Sequence, residues 1–202
     1  MAVRRILLLG EEALRDPGVE VDAFDDELHD LVEDMLETMY FAEGIGLAAP
    51  QIGVSRRVCV LDLHDEDNPD DGRWVFVNPV IVESSDEEDK ASEGCLSIPE
   101  MEEVVTRPAR VTVQGFDADG QAVEVEADGL LARALQHEID HLDGVLFIDR
   151  LTTYKRRALL KKWKKSQKEE AKGGRSSSGG RRNLRFRPLG RSVRRGTTSW
   201  AS

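Results

Sequence analysis

Residues 136–144 read QHEIDHLDG and place His137 and His141 four positions apart, with Glu138 beside the first histidine. On an α-helix, residues four apart lie on the same face, so both imidazoles can bind one metal ion. The carboxylate of Glu138 then lies at the rim, where it can reach a water on that ion. This spacing indicates a catalytic metal site. The alternative is that both histidines are ordinary polar residues on a partly exposed helix.

A catalytic metal site of this kind needs a third protein ligand. No histidine follows His141, and the remaining carboxylates, Asp140, Asp143 and Asp149, do not lie in a second motif. Upstream, the segment EGCLSIP (93–99) offers Cys95, and a thiolate is a strong ligand for soft divalent metals. We expect Cys95 to be the third ligand.

The cysteine count and the hydropathy pattern indicate the compartment. Two cysteines, Cys59 and Cys95, do not make a disulfide framework in a chain of 202 residues. Cys59 lies in an apolar segment and is expected to be a small buried residue. No stretch approaches the roughly 20 apolar residues of a membrane span, and the apolar run 6–9 is too short for a signal peptide. We therefore expect a cytoplasmic protein with no membrane partner.

Charge divides the chain into two unequal parts. Residues 1–154 carry 11 Lys+Arg against 37 Asp+Glu, a balance of −26, and residues 155–202 carry 17 against 2, a balance of +15. The acidic part should not bind nucleic acid non-specifically, whereas the basic end can. The acid-rich, lysine-poor composition has two open explanations, adaptation to a salty habitat and GC-rich coding that favours arginine over lysine.

Apolar residues at intervals of three and four predict three helices. The first lies within 21–43, where Asp22 and Asp25 can cap its N-terminus. The second covers residues 129 to about 142. The third, over 153–172, is basic and has a narrow apolar face formed by Leu159, Leu160 and Trp163.

Runs of β-branched and apolar residues predict strands at 56–63 and 74–82. Alternating residues over 110–127 predict a hairpin that turns at Asp119 and Gly120. The segment EGIGLAAPQIG (43–53) is broken by glycines and a proline, so we expect a tight loop there.

Three stretches together point to a family: GIGLAAPQ (44–51), EGCLS (93–97) and QHEIDHLDG (136–144). Their order and approximate spacing resemble those of bacterial peptide deformylases, from the N-terminus to about residue 151. The resemblance implies an α+β fold in which mostly antiparallel β-sheets pack around a central metal-binding helix. An N-terminal helix and a basic C-terminal helix complete this expected fold.

The predicted organisation has three parts. A peptide deformylase catalytic domain is expected over 1–152, followed by the basic C-terminal helix over 153–172. Beyond it, residues 173–202 are rich in Gly, Ser and Arg and are predicted to be a disordered tail.

The resemblance implies a hydrolase that removes the formyl group from the N-terminal formylmethionine of nascent proteins and releases formate. Cys95, His137 and His141 would hold one divalent metal ion, with Fe²⁺ favoured over Zn²⁺, Ni²⁺ or Co²⁺. Glu138 would act as the general base. The oxyanion would accept hydrogen bonds from the Gln51 side chain and the Leu96 backbone N–H.

The substrate-binding residues are also implied by the resemblance. The extended peptide would lie along Gly44 and Gly46, while Ile45 and Leu130 would form walls of a methionine pocket. The alternative for Gly46 is that it only relieves strain in a turn. Arg133 would lie near the mouth of that pocket or would be a solvated helix residue.

Glu102 departs from the family pattern, since many relatives have Arg or a bulky aromatic residue seven positions after the cysteine ligand. This departure puts the family's peptide-holding contact at the cleft entrance in doubt. The resemblance also implies N-formylmethionyl nascent peptides as substrate, a monomer, and ribosome contact through the basic C-terminal region.

Two other classes of function stay open at this level. A metallopeptidase would use H-E-x-x-H equally well, but it would need a third ligand downstream. A structural-metal or binding protein would need neither Glu138 nor Gln51.

Overall fold

The computed structural model describes residues 2–63, 72–173 and 194–196, with side chains up to residue 169. Three helices, α1 (Asp26–Phe41), α2 (Gly129–Leu142) and α3 (Thr153–Gly173), combine with short 3₁₀ turns at Glu12–Arg15, Ala49–Ile52 and Phe147–Arg150. The strands of this described part are β1 (Gly46–Ala48), β2 (Val58–Asp62), β3 (Arg73–Ser84), β4 (Glu88–Gly94), β5 (Glu102–Pro108), β6 (Arg110–Phe116), β7 (Ala122–Asp128) and β8 (Arg194–Gly196).

The strands form two antiparallel sheets, which confirms the predicted α+β class. The larger sheet has the order β1-β2-β3-β6-β7-β8, and β4 pairs only with β5 in the smaller one. The predicted hairpin 110–127 is present as β6 and β7, paired from Arg110 with Asp128 to Phe116 with Ala122. Of the predicted tail after α3, only β8 lies within the described residues, where it pairs with β7.

Helix α1 begins where the sequence predicts. The carboxylate of Asp25 accepts a hydrogen bond from the Leu28 backbone N–H at 3.1 Å and so caps the helix. The apolar stripe of the helix is buried, with Leu28, Met35 and Met39 at 0% exposure. This stripe packs on β1 and β2 and forms one core cluster with them.

Helix α2 lies in the interior, since each of its residues from 131 to 142 is buried. Its apolar residues pack on the larger sheet in a second core cluster that includes Phe76, Val113 and Val125. The helix is followed by Gly144, whose φ of +70° favours glycine. An added Cβ there would also collide with the carbonyl oxygen of Arg15, so the chain turns sharply after the two histidines.

Helix α3 also belongs to the packed body. Leu159 and Trp163 are buried at 6% and 5% exposure and share a third core cluster with Ile98, Met101 and Val105. The 3₁₀ turn Phe147–Arg150 packs into the same cluster. The predicted narrow apolar face is therefore present, and it covers the segment that follows Cys95.

One local prediction was wrong, and two strands were missed. The segment 43–53 is not only a loop, because it contains the buried strand β1 and a 3₁₀ turn. Strands β4 and β5 were not predicted at all, since β4 reads EDKASEG and buries only Glu93 fully. A strand that pairs with a single partner and is mostly exposed lacks the apolar alternation by which strands are recognised.

In the part of the chain that the structure describes, no helix combines the length and the apolar character that crossing a membrane would require.

Candidate active site and metal centre

The fold brings together the three expected metal ligands. His137 and His141 project from α2, and Cys95 follows the last residue of β4. Their ligand atoms all lie within 4.8 Å of one another, and the sulfur of Cys95 lies 3.2 Å from Nε2 of His141. One thiolate and two imidazoles suit a soft or borderline divalent ion. The residues present therefore fit a metal ion held by three protein ligands.

The carboxylates near the histidines that could have been ligands are engaged elsewhere. Asp140 pairs with Arg107 and Arg150, Asp143 pairs with Arg57, and Asp149 pairs with Arg15 and Arg156. The group of described residues able to hold a metal contains Cys95 instead. The arrangement that a downstream-ligand metallopeptidase would need is therefore not supported by these residues.

Glu93 orients one of the histidines, a role that was not predicted from the sequence. Its Oε2 lies 3.1 Å from Nδ1 of His137, which leaves Nε2 of that ring for a metal ion. Burial by itself would raise the pKa of Glu93, but hydrogen bonds from Arg107 and His137 lower it to about 2. The signal that could have found it is an acidic residue inside the cysteine motif, two positions before Cys95.

A buried network of charges holds Glu93 in place. Arg107 donates two hydrogen bonds to Glu93, at 2.6 and 2.9 Å, and a third to Asp140 at 2.8 Å. Arg133 donates to Glu93 at 2.5 Å and to the carboxylate of Asp89 at 2.8 Å. Arg133 is only 7% exposed and lines the cleft, so of its two alternatives the solvated helix residue was wrong. The network joins β4, β5 and α2 behind the metal ligands.

Glu138 is buried in the same site, at 5% exposure. Its Oε2 has no hydrogen-bond partner among the described residues. Burial raises the pKa of Glu138 to about 7, against the opposing effect of His137 and Arg107. A carboxylate with a pKa near neutrality can both accept and donate a proton at physiological pH.

The two histidines differ electrostatically. Burial lowers the pKa of His141 well below its usual value, and the positive charges of His137 and Arg107 add to this effect. Burial also opposes charge on His137, but its contacts with Cys95 and Glu93 raise its pKa well above the usual value. These contacts stabilise positive charge at the position where a metal ion would lie.

Gln51 is held with its amide N–H₂ facing the metal ligands. Its Oε1 accepts a hydrogen bond from the Ala48 backbone N–H at 2.8 Å. Its Nε2 then lies 3.2 Å from the Ser97 hydroxyl and 3.6 Å from the sulfur of Cys95. The 3₁₀ turn Ala49–Ile52 therefore fixes which end of the amide points into the site.

A cleft of about 460 Å³ leads to these groups. The predicted substrate-binding residues all line it, namely Gly44, Ile45, Gly46 and Leu130. Gln51, Cys95, Leu96, His137 and Glu138 line it too. Glu102 also lines the cleft, on the strand beside Cys95.

The glycines of the cleft wall lie in close contact with two facing side chains. Neither Gly44 nor Gly46 has a positive φ, so the alternative that Gly46 only relieves turn strain was wrong. A Cβ on Gly46 would collide with Oε1 of Glu138, and a Cβ on Gly44 would lie 2.7 Å from Cδ1 of Leu96. Gly46 therefore provides the space that the Glu138 carboxylate occupies.

Comparison with known proteins agrees with this geometry. The sequence model of the polypeptide deformylase family matches residues 3–157. Peptide deformylase of Brucella suis biovar 1 is 49% identical over 171 residues, which cover 85% of this chain and 97% of that protein. Peptide deformylase of Phenylobacterium zucineum is 51% identical over 168 residues, covering 83% of this chain and 99% of its own length.

Solved structures show the same fold. A crystal structure of a peptide deformylase from Legionella pneumophila superposes with a TM-score of 0.77 at 45% identity, covering 84% of this chain and 98% of that one. Peptide deformylase from Ehrlichia chaffeensis in complex with actinonin gives a TM-score of 0.76 at 40% identity, over 82% and 98% of the two chains. The chain belongs to the polypeptide deformylase family.

Proposed function

We propose that deformylation in this cleft uses Glu138 as the general base, Gln51 and Leu96 as oxyanion donors, and Cys95, His137 and His141 as metal ligands. The reaction itself removes the formyl group from N-terminal formylmethionine. The observation that carries the assignment is the buried carboxylate of Glu138, whose Oε2 lacks a partner among the described residues. It lies beside three side chains that converge within 4.8 Å.

The metal ion would be held by one thiolate and two imidazoles, and we propose Fe²⁺ over Zn²⁺, Ni²⁺ or Co²⁺. When bound, such an ion acts as a Lewis acid that polarises a carbonyl group and lowers the pKa of water. Glu93 supports this role because it fixes the ring of His137 through Nδ1.

Glu138 would move the proton during hydrolysis. Its carboxylate accepts a proton from the attacking water and then delivers it to the amine that leaves as the formamide bond breaks. The pKa of about 7 supports both steps, because neither protonation state is costly at neutral pH. The water oxygen forms the new bond to the formyl carbon, so formate and a free N-terminal methionine are the products.

Gln51 and Leu96 would stabilise the negative charge that develops on the formyl oxygen. The Gln51 amide is already oriented. Its oxygen accepts a hydrogen bond from the Ala48 backbone N–H, and its N–H₂ faces the Cys95 sulfur at 3.6 Å. Leu96 directly follows Cys95, so its backbone N–H is tied to the position of the ligand. Loss of one such donor typically lowers turnover by about 100- to 1,000-fold.

The substrate would enter as an extended peptide. Ile45 and Leu130 line the cleft from two different elements, since Ile45 directly precedes β1 and Leu130 lies in the first turn of α2. Both would form walls of the methionine pocket. Gly44 and Gly46 line the same cleft, and the peptide would run along this part of the wall.

Formate release from formyl-Met-Ala-Ser, measured with anaerobically prepared enzyme, tests this function. The expected result is equal molar amounts of formate and free amine, with no cleavage of casein in a parallel assay. Casein cleavage would favour a metallopeptidase. Bound metal without either activity would favour a structural-metal protein.

We also propose a ribosome as partner and the cytoplasm as location. Helix α3 is strongly basic, while its apolar face is buried against Ile98 and Met101. Its exposed lysines therefore face outwards, where they can contact RNA phosphates. The substrate is a nascent chain, so contact with the ribosome would bring the enzyme to its substrate. We propose a monomer, with the catalytic part over 1–152, the basic helix over 153–172 and the tail over 173–202.

A further inference from the structure

The larger sheet is extended at one end by a strand from the far C-terminus. Strand β8 pairs antiparallel with β7, and the register places Glu124 opposite Gly196, Val125 opposite Arg195 and Glu126 opposite Arg194. The other side of β7 is occupied by β6 along its whole length. Strand β8 therefore lies on the edge of β7 that the rest of the described chain leaves unpaired.

The outer edge of β7 lacks the features that usually prevent a strand from adding to a sheet. Edge strands are commonly protected by proline, by lysine or by a β-bulge. The β7 sequence AVEVEAD contains no proline or lysine, and its register with β6 runs without a shift from Ala122 to Asp128. The opposite end of the sheet is β1, whose three residues are buried. The backbone N–H and C=O groups on the outer edge of β7 can therefore pair with a further strand.

The charge of β7 selects which strand can pair there. Its ionisable residues are all acidic, and Glu126 and Asp128 are exposed. Glu124 accepts a hydrogen bond from the neutral side chain of Gln114 at 2.6 Å. Among the described side chains, no lysine or arginine forms an ion pair with Glu124 or Glu126. The register places Arg194 directly opposite Glu126 and diagonal to Glu124, and opposite charges at such positions stabilise strand pairing.

The connection to β8 is long enough to reach β7 from the end of α3. The segment 174–193 has 20 residues. A chain of about that length spans up to roughly 70 Å, whereas a domain of this size is roughly 40 Å across. The tether also keeps β8 at a high effective concentration near the sheet, so a pairing of three residues can be populated. The balance of +15 over 155–202 against −26 over 1–154 favours the encounter.

We infer that the outer edge of β7 is an interaction surface for a basic strand, and that its occupant is the segment Arg194–Gly196 of the same chain. Main-chain hydrogen bonds hold the segment, and the carboxylates of Glu124 and Glu126 select its arginines. The inference does not depend on the proposed function, because no residue of β7 is among the described residues that line the cleft. It implies that a nucleic acid has to compete with β7 for this part of the tail.

Hydrogen–deuterium exchange of the full-length protein, read at the outer amides of β7, tests the pairing. In the wild type these amides should exchange slowly, because β8 covers them. The variant Arg194→Glu, Arg195→Glu should raise their exchange rate by about 10-fold, since acidic residues would then face an acidic strand. The matched control Arg181→Glu, Arg182→Glu makes the same charge change in the tail outside β8 and should keep the wild-type rate.

A charge exchange checks the register. Glu126→Arg in the Arg194→Glu background should restore the slow exchange that Arg194→Glu alone loses, because these two residues lie opposite each other. Failure to restore it would overturn the pairing of these residues. Equal rates in the wild type and in Arg194→Glu, Arg195→Glu overturn the inference, and so does a control variant that exchanges as fast as the β8 variant.

Dilution distinguishes the chain's own tail from that of a second copy. The wild-type exchange rate should be independent of protein concentration, because the tether holds β8 beside its own sheet. A rate that rises on dilution would assign the strand to a second copy and overturn the intrachain pairing. Formate release from formyl-Met-Ala-Ser should be unchanged in every variant and serves as the control for folding, since β7 does not line the cleft.

Discussion

At the scale of single residues, Glu138 and Cys95 should differ in what their loss removes. Glu138→Gln should keep the bound metal but lose at least about 100-fold in turnover, because a neutral amide cannot accept the proton of water. Cys95→Ala should lose the metal itself, since one of three converging ligands is gone. Metal content by mass spectrometry and formate release together check both outcomes.

The residual turnover of Glu138→Gln decides whether Glu138 moves the proton. A Glu138→Gln protein that retains more than about a tenth of wild-type turnover would show that another group moves the proton. Gln51→Ala serves as a comparison, since it should lower turnover without changing metal content.

Glu93 should contribute stability that depends on pH. Its pKa of about 2 in the folded protein lies below the usual value of 4.5. The contribution is therefore fully present above pH 4.5 and is lost as the pH falls towards 2. The shift corresponds to about 3 kcal/mol in the free energy of unfolding, because one pKa unit is worth about 1.4 kcal/mol.

Acid unfolding of metal-free protein measures this contribution. In the presence of a chelator, Glu93→Gln should be less stable than wild type at pH 7, since Arg107 and Arg133 lose a buried partner. The difference between the two proteins should shrink between pH 4.5 and 2. A difference that stays constant over this range would contradict the assigned pKa.

At the scale of elements, the buried face of α3 determines how ribosome contact should be tested. Truncation after residue 151 would remove Leu159 and Trp163 and expose Ile98 and Met101 of the same cluster. Substitution of exposed lysines keeps the packing. A variant with four lysines replaced by glutamine should lose co-sedimentation with ribosomes at low salt, the four being Lys161, Lys162, Lys164 and Lys165.

A second variant separates the helix from the tail. Deletion after Lys172 removes the following basic segment but leaves the packed part of α3. Full co-sedimentation by the lysine-substituted protein would exclude the helix as the contact, and full co-sedimentation by the deleted protein would exclude the tail. Both variants should keep turnover on short formyl-peptides.

The elements differ in how well the sequence predicts them. Helices α1, α2 and α3 have an apolar face that repeats at the helical period, and the β6–β7 hairpin alternates strictly, so their sequences predicted them. Strand β4 is charged along most of its length and β1 is three residues long, so neither carries a periodic signal. Each is identified by its pairing with the next strand along the chain, β1 with β2 and β4 with β5.

The candidate site was also predicted only in part. The proposed metal ligands and general base lie in short motifs, and the resemblance to a family assigned them. The pairing of Glu93 with Arg107 and of Arg107 with Asp140 joins residues up to 33 positions apart. Such contacts follow from the register of β4 with β5 and from the packing of α2, which a single sequence does not specify.

At the scale of the whole molecule, the balance of −26 over residues 1–154 implies strong self-repulsion. If the acidic surface is a salt adaptation, the melting temperature should rise by at least about 8 °C between low salt and 2 M KCl. Calorimetry over a series of KCl concentrations measures this. An unchanged melting temperature would leave GC-rich coding as the explanation of the composition.

The third core cluster lies between the outer face of α3 and the cleft. Leu159 and Trp163 of α3 pack with Ile98, and Cys95 packs against the same cluster from the cleft side. A partner bound to the outer face of α3 that shifted this packing would couple the two sites if it also changed the affinity of the cleft for its own ligand. Thermodynamic reciprocity then requires the occupied cleft to change the affinity of α3 by the same factor. The enzyme would hold its docking partner with one strength while a formyl-peptide is bound and with another once the product has left.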